Sequence, residues 1–191
     1  MPVCKKTVAK QVRPMSEPIP KGCDCPDSPQ ALRQQIQGQV DEIIACCESC
    51  AAAFCEFEKQ LFAGIRVLGC RCVGLFLLAR HRRLDLQAWR PGHRFVDAWV
   101  PRPLQTVYGT IRYGRAYLAR RAGGVGYHPL DAVLGLTRDT FSPWVISLAT
   151  RLTTRLSFQT AKLVVTAFWG WSPSTEASED LVLGLARSAS T

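Results

Sequence analysis

The chain has 191 residues, of which 47% are hydrophobic and 20% are charged, and this composition excludes a disordered polar chain. Its formal net charge of +9 makes an anionic partner, such as nucleic acid or a membrane surface, the first expectation. The basic excess is concentrated in residues 104–170, which hold eight Lys or Arg residues and two acids. A solvated basic surface without a binding role is the alternative interpretation.

The first 28 residues contain five prolines and no apolar periodicity, so residues 1–28 are predicted to form a flexible leader. They also lack the apolar core of a signal peptide, and a reducing cytoplasm is the predicted location. The cysteines all precede residue 73. Their only Cys-x-x-Cys pair, Cys47 and Cys50, has no matching second pair. The cysteines are therefore interpreted as small hydrophobic residues, with zinc binding as the alternative, and no cofactor is predicted.

A long amphipathic helix is predicted over residues 29–83. Ser28 precedes a proline and has the residue type of a helix cap, and apolar residues then recur at steps of three and four as far as Ala79. A stripe of about fifty residues, roughly 75 Å long, exceeds what the rest of the chain covers. The helix is therefore predicted to form a homo-oligomer through residues 29–83 as a coiled coil, or to fold back at Gly64 or Gly69.

The most apolar stretch of that helix, Leu61 to Ala79, is about as long as a membrane span. Arg66 and Arg71 lie within it, and each would cost about 2.5 to 3.5 kcal/mol near the bilayer centre. The stretch is therefore interpreted as a buried helix of a soluble protein, and no membrane partner is predicted. Peripheral membrane attachment through residues 61–83 is the alternative.

Residues 84–103 are rich in Trp, Pro and Arg and keep neither a helical nor a strand period, which predicts an ordered Trp/Pro-rich linker. Residues 104–121 then alternate apolar and polar side chains around Tyr108 and Gly109. This pattern predicts a short β-hairpin whose outward side chains include Arg112, and a glycine-rich segment follows it.

Three helices are predicted after the hairpin. Ser142, Ser157 and Ser172 are placed as helix caps, and Gly170 has the residue type that ends a helix. The predicted fold class is therefore α+β, mainly α, with a C-terminal helical bundle. Residues 104–191 are assigned to one domain that combines the hairpin with these helices.

The segment from Gly170 to Thr175 has the form of a helix-turn-helix corner. A glycine for the turn, an apolar residue and a serine cap follow one another, and the second helix of such a pair can lie in the major groove of DNA. Three acids at the start of that helix would repel phosphates: Glu176, Glu179 and Asp180. This local pattern is compatible both with a helix that reads DNA and with an ordinary packed helical hairpin.

Four short motifs stand in an order and spacing that occur in a known family. They are Phe54 to Phe62, Pro129-Leu130-Asp131, Leu134-Gly135-Leu136, and the Ser-x-x-Thr corner from Ser172 to Thr175. In these motifs, over roughly residues 54 to 187, the chain resembles the N-terminal region of ISKra/ISLre-type insertion-sequence transposases. Many relatives also carry a Cys-x-x-Cys pair after the hairpin, which residues 118–124 lack.

The resemblance implies a protein that recognises the ends of a mobile element and delivers them to a DDE-type nuclease domain. That domain is expected after residue 187 and is missing from the chain. The acids present are scattered and suggest no two-metal site, so no catalytic residue, metal or enzymatic activity is predicted. The predicted function is DNA binding and assembly by the N-terminal part of a truncated transposase, with double-stranded DNA of element ends as the partner.

The predicted contacts are phosphate contacts from four hairpin arginines and closer contacts from two hydroxyl groups of the corner. These residues are Arg112, Arg115, Arg120 and Arg121, with Ser174 and Thr175 near the duplex. The alternative function is that of a non-enzymatic helical dimerisation or interaction protein, or a drifted transposase remnant, in which the basic surface is incidental.

Overall fold

The computed structural model describes residues 23–24, 28–86, 92–137, 140–174, 176 and 179–180. The fold class is α+β and mostly helical, which confirms the prediction. The helices and strands, in chain order, are β1 (Cys23–Asp24), α1 (Pro29–Ser49), α2 (Phe54–Arg82), β2 (His93–Thr106), β3 (Gly109–Arg120), α3 (Pro129–Leu134), α4 (Pro143–Thr153) and α5 (Phe158–Trp169).

The predicted continuous helix over residues 29–83 is corrected to two helices that fold back on each other. The Ser28 side chain caps α1 as predicted, but the chain leaves the helical conformation at Cys50. The reversal therefore lies at residues 50–53, well before Gly64 or Gly69. Three of those four residues are alanines, which favour a helix, so packing of the two apolar stripes overrides local preference here.

Polar contacts between the two helices fix their antiparallel register. The Arg71 guanidinium of α2 donates to the backbone oxygen of Gln35 and to the side chain of Gln39, both at 2.9 Å. Farther along, Cys46 lies 3.7 Å from the Gln60 side chain. Much of the stripe that was predicted to need a second copy is thus covered within the chain.

The sheet has three strands in the order β1-β3-β2. β2 and β3 form an antiparallel hairpin, and β1 pairs in parallel with β3 at Ile111 and Arg112. Two predictions are corrected: Cys23–Asp24 is a strand within the predicted leader 1–28, and residues 93–103 of the predicted linker 84–103 belong to β2. The strand period was hidden there because the register shifts twice between Phe95 and Val100.

The core lies where α2 and α3 cover the hairpin. Its buried members come from four elements: Cys70 and Leu77 of α2, Leu104 of β2, Ile111 and Tyr113 of β3, and Leu130 of α3. The motif Pro129-Leu130-Asp131 is itself almost fully buried. The hairpin is therefore held rigidly by one helix on its long axis and one short helix beside it.

Two of the three predicted C-terminal helices begin at their predicted caps, but Ser172 does not cap the third, because Pro173 and Ser174 that follow it are not helical. Ser142 caps α4, Ser157 caps α5, and Gly170 ends α5 in the left-handed conformation with φ of 68°. α5 is only partly buried, because its Leu163 and Phe168 side chains are 70% and 64% exposed. Most of the third predicted helix lies outside the described residues.

Candidate nucleic-acid interface

The hairpin and its flanking turns carry a strong excess of basic side chains. From residue 92 to residue 128 there are six arginines and one acid, Asp97. Four of the arginines are exposed to solvent: Arg94, Arg112, Arg120 and Arg121. Three of these were predicted contacts, and the fourth was missed because Arg94 lay in the predicted linker. An exposed surface with this charge attracts polyanions.

Three exposed arginines lie at the open end of the hairpin, with Arg94 and Arg120 on opposite faces of the sheet. Arg120 lies opposite His93 in the strand register, and Arg94 lies opposite Ala119. The Arg121 side chain donates from Nε to the His93 backbone oxygen at 3.2 Å, which holds it across the strand ends. Arg112 lies eight positions back along β3, about 26 Å from Arg120 at strand spacing.

Arg115 faces the interior, in contrast to the other predicted arginines. Its guanidinium forms an ion pair with the Asp131 carboxylate, and its side chain is 15% exposed. Positions 112 and 115 differ by three residues, so they lie on opposite faces of a strand whose side chains alternate. We therefore remove Arg115 from the candidate DNA surface and assign it to a buried ionic cluster.

That cluster is centred on Asp131 in the first turn of α3. Asp131 accepts hydrogen bonds from Arg102 Nη1 at 2.8 Å and from the Tyr113 hydroxyl at 3.0 Å, besides its contact with Arg115. Arg102 Nη2 also donates to the Thr137 backbone oxygen at 2.5 Å. Burial raises the pKa of the Tyr113 hydroxyl and lowers the pKa of Arg115. The cluster joins β2, β3 and α3 and sets the position of the hairpin.

Two histidines form hydrogen bonds with the backbone of β3 at Ala116, a position that does not pair with β1. The Ala116 N–H donates to Nε2 of His81 in α2 at 3.2 Å. The Ala116 oxygen lies 2.9 Å from Nδ1 of His128, which donates to it in the tautomer with Nδ1–H. Burial lowers the pKa of both imidazoles, with further lowering of His81 by Arg82.

Lowering the pH below about 6.5, the ordinary pKa of histidine, is expected to destabilise the protein. Both imidazoles have a lower pKa in the folded protein than in the unfolded chain, so the unfolded chain binds protons more readily. Their contribution to the free energy of unfolding is therefore complete above the unfolded pKa and declines as the pH falls below it. His81 also accepts a proton at Nε2 only by losing its bond from Ala116. Urea unfolding at pH 7.5 and 5.5 measures the effect.

The His81→Gln variant is the matched control for that measurement, since glutamine keeps an acceptor oxygen but does not titrate. Its loss of stability between the two pH values should be smaller than that of the parent chain. An equal loss in both proteins would assign the acid sensitivity to other groups.

The predicted helix-turn-helix corner is partly described. Gly170 makes the left-handed turn, Trp171 stacks on Phe141 with ring centroids 6.3 Å apart, and Pro173 is buried. Ser174 is exposed as predicted, while Thr175 lies outside the described residues. The turn and its apolar plug therefore have the expected form.

The corner and the open end of the hairpin lie far apart. The buried Arg66 side chain of α2 contacts Gly170 and also lies beside Gly109, at the turn end of the hairpin. Arg120 is at the other end of β3, about 36 Å away at strand spacing. The predicted site residues thus form two groups, with Ser174 following the corner at the turn end and Arg120 and Arg121 at the open end.

One helix, α2, is long and apolar enough to cross a membrane by length and composition, and a third of its most apolar window is buried within the protein. Of its two interior arginines, Arg66 is buried and its Nε has no hydrogen-bond partner among the described residues, whereas Arg71 bonds to α1. Within the described part of the chain, no three His, Cys, Asp or Glu side chains are grouped to hold a metal ion.

Comparison of the chain with models of known families, with curated proteins and with solved structures finds no match.

Proposed function

We propose that this chain is a DNA-binding and assembly module of an insertion-sequence transposase, which binds double-stranded DNA of element ends and does not itself catalyse strand transfer. One observation carries the proposal: four exposed arginines on the hairpin, whose residues 92–128 hold a single acid, Asp97, with Asp24 of β1 opposite Arg112 in the sheet. Guanidinium groups suit phosphate oxygens because they stay charged and donate in a fixed planar fork. The motif resemblance indicates which DNA is bound, namely the ends of a mobile element.

The geometry supports phosphate contact more than base reading. The exposed arginines project from strands, whose buried faces are held by α2 and by the Asp131 cluster. The open end and the turn end of β3 are about 36 Å apart, close to one helical turn of B-DNA at roughly 34–36 Å. The exposed arginines cover less than this length, because Arg112 and Arg120 are about 26 Å apart along β3. The acids that follow the corner, Glu176 and Glu179, are exposed and oppose close approach there.

Replacing Arg94, Arg112, Arg120 and Arg121 by alanine is expected to flatten the salt dependence of DNA binding. Each lost phosphate contact lowers the slope of log affinity against log salt by about 0.9, so four contacts lower it by up to about 3.6. Fluorescence anisotropy with a labelled duplex of mixed sequence, two to three helical turns long, over a salt series gives the slope. A second duplex with the inverted repeats that flank the gene tests preference for element ends.

Two double variants make a matched comparison. Arg120→Ala with Arg121→Ala should lower the slope by up to about 1.8, whereas Arg151→Ala with Arg155→Ala, two exposed arginines at the end of α4, should leave it unchanged. Equal slopes for all variants would place the DNA surface elsewhere. Salt-sensitive binding without preference for the repeats would retain DNA binding and remove the element-end assignment.

The alternative function, a helical interaction protein, is favoured by a different observation, the apolar side chains that α2 exposes to solvent. It does not compete with DNA binding, because assembly on two element ends requires contacts between protein copies. The alternative becomes the main function only if the arginine variants bind DNA as the parent chain does, or if no DNA binding is found.

A further inference from the structure

The helix α2 has three apolar faces, and the structure covers only two of them. One face packs on α1 through Gly64 and Arg71, and another lies on the core through Cys70 and Leu77. The third face exposes large side chains: Phe62, Ile65 and Phe76 are between 44% and 47% exposed, and Cys72 is exposed too. Among the residues that the structure describes, little covers this face along most of the helix, and an apolar surface of this kind marks a contact site.

The exposed residues follow the spacing of a two-helix seam. Steps of three and four alternate along Phe62, Ile65, Gly69, Cys72, Phe76 and Ala79, and we call these six residues the α2 seam. This is the spacing at which one helix packs lengthwise on another. At Gly69, where the seam has no side chain of its own, the Tyr108 ring of the hairpin turn lies over the backbone and is 39% exposed.

We propose that two copies of this chain pair through the α2 seam with their helices antiparallel. In one register the six seam residues of one copy lie opposite the six of the other, with the Tyr108 ring of each copy beside the central layer. Phe62 of one copy lies opposite Ala79 of the other, Ile65 opposite Phe76, and Gly69 opposite Cys72. The outer layer thus sets a large side chain against a small one, the next sets two large apolar side chains together, and the central layer sets two small residues together; twofold symmetry repeats each layer on the other half of the interface.

The charges at the ends of the seam select the antiparallel arrangement. Glu58 continues the seam at one end and Arg83 continues it at the other, and the same register sets Glu58 of one copy opposite Arg83 of the second. Both side chains are exposed, and neither has an ion-pair partner among the residues that the structure describes. A parallel pair would instead place Glu58 beside Glu58 and Arg83 beside Arg83, which is unfavourable.

A groove beside the seam adds contact area at the basic end. Its volume is about 500 Å³, with an apolar floor that includes Leu75 and Phe76 and a basic rim that includes Arg33 and Arg83. In the proposed register the α2 lining of the groove, residues 72–83, lies opposite residues 58–69 of the partner's α2, which begin with the acidic Glu58. From Glu58 to Arg83 the seam is about 38 Å long at helical rise, enough for an interface of standard size if it is about 20 Å wide.

Charge exchange across the seam is the decisive experiment. The variant Glu58→Arg sets arginine against Arg83 in both symmetric contacts, and Arg83→Glu sets glutamate against Glu58. Each single variant should weaken dimerisation roughly tenfold, because an attraction between exposed charges becomes a repulsion at both symmetric contacts. The double variant Glu58→Arg/Arg83→Glu restores opposite charges and should return to within about threefold of the parent chain. Sedimentation equilibrium of the full chain over a concentration series measures these constants.

A second pair of variants tests the apolar layers. Ile65→Asp should weaken dimerisation on the order of 100-fold, because it sets a carboxylate against Phe76 in the middle of the interface. Val125→Asp is the matched control, since Val125 is 69% exposed on the loop after β3 and should leave the dimer intact. Circular dichroism melts of each variant establish that the monomer is folded.

Several results would overturn the proposal. A monomeric parent chain at high concentration, a dimer that Ile65→Asp does not weaken, or a double variant weaker than both singles would each exclude the antiparallel seam. A parallel seam predicts no rescue by the double variant. Flotation with vesicles of phosphatidylcholine and phosphatidylserine tests membrane binding. If the parent chain floats with the vesicles, Ile65→Asp does not, and no dimer forms, the exposed face binds lipid.

Discussion

Replacing Asp131 by asparagine is expected to lower the free energy of unfolding by about 3–5 kcal/mol, the usual cost of removing one partner of a buried ion pair. Arg102 and Arg115 both rely on this carboxylate, and their side chains are only 6% and 15% exposed. Asparagine has a similar shape but no charge, so two largely buried arginines lose the negative charge of Asp131. Urea denaturation gives the free energy, and an unchanged m-value shows that the change lies in stability alone.

The control is Asp41→Asn on the exposed side of α1, where the carboxylate accepts one hydrogen bond from Gln37 at 3.0 Å. This substitution should change the free energy of unfolding by no more than about 0.5 kcal/mol. A loss below about 1 kcal/mol for Asp131→Asn would mean that water or local movement compensates the two arginines, and the cluster would lose its assigned role.

Ile111→Ala is expected to cost about 2–5 kcal/mol, and Ile111→Val about 0.5–1.5 kcal/mol. The Ile111 side chain is fully buried at the point where the hairpin, α2 and α3 meet, so the methyl groups removed leave a cavity that three elements border. The same denaturation measurement tests both variants. Near-equal losses for the two would contradict a tightly packed core here.

Local chemistry explains which features could be predicted from sequence. Ser142, Ser157 and Gly170 act through hydrogen bonds within four residues of themselves, and their caps are where they were predicted. The alternation around Tyr108 located the turn of the hairpin for the same reason. Such features depend on neighbouring residues and not on the rest of the fold.

Features decided by distant contacts were mispredicted. The reversal at residues 50–53 contains alanines that favour helix, and β2 carries register shifts that erase its period. Arg115 is an exception, because strand alternation places it on the opposite face from Arg112 and was readable from their spacing. The Asp131 that holds Arg115 lies on a separate element, however, so the ionic cluster itself was not predictable.

The buried state of Pro129-Leu130-Asp131 also bears on the motif resemblance. These residues serve packing and the ionic cluster, and their side chains do not reach the exposed arginines. A resemblance carried by such residues supports a common fold more directly than a common DNA target. The exposed side chains Arg94, Arg120 and Arg121 are therefore the positions where binding has to be measured.

The parallel pairing of β1 with β3 has a consequence for the order of folding. Cys23 and Asp24 are synthesised well before their partners Ile111 and Arg112. Closing so long a loop costs entropy that two strand residues cannot repay alone. The hairpin and α2 must therefore assemble first, and the early segment joins a finished sheet edge as one of the last steps.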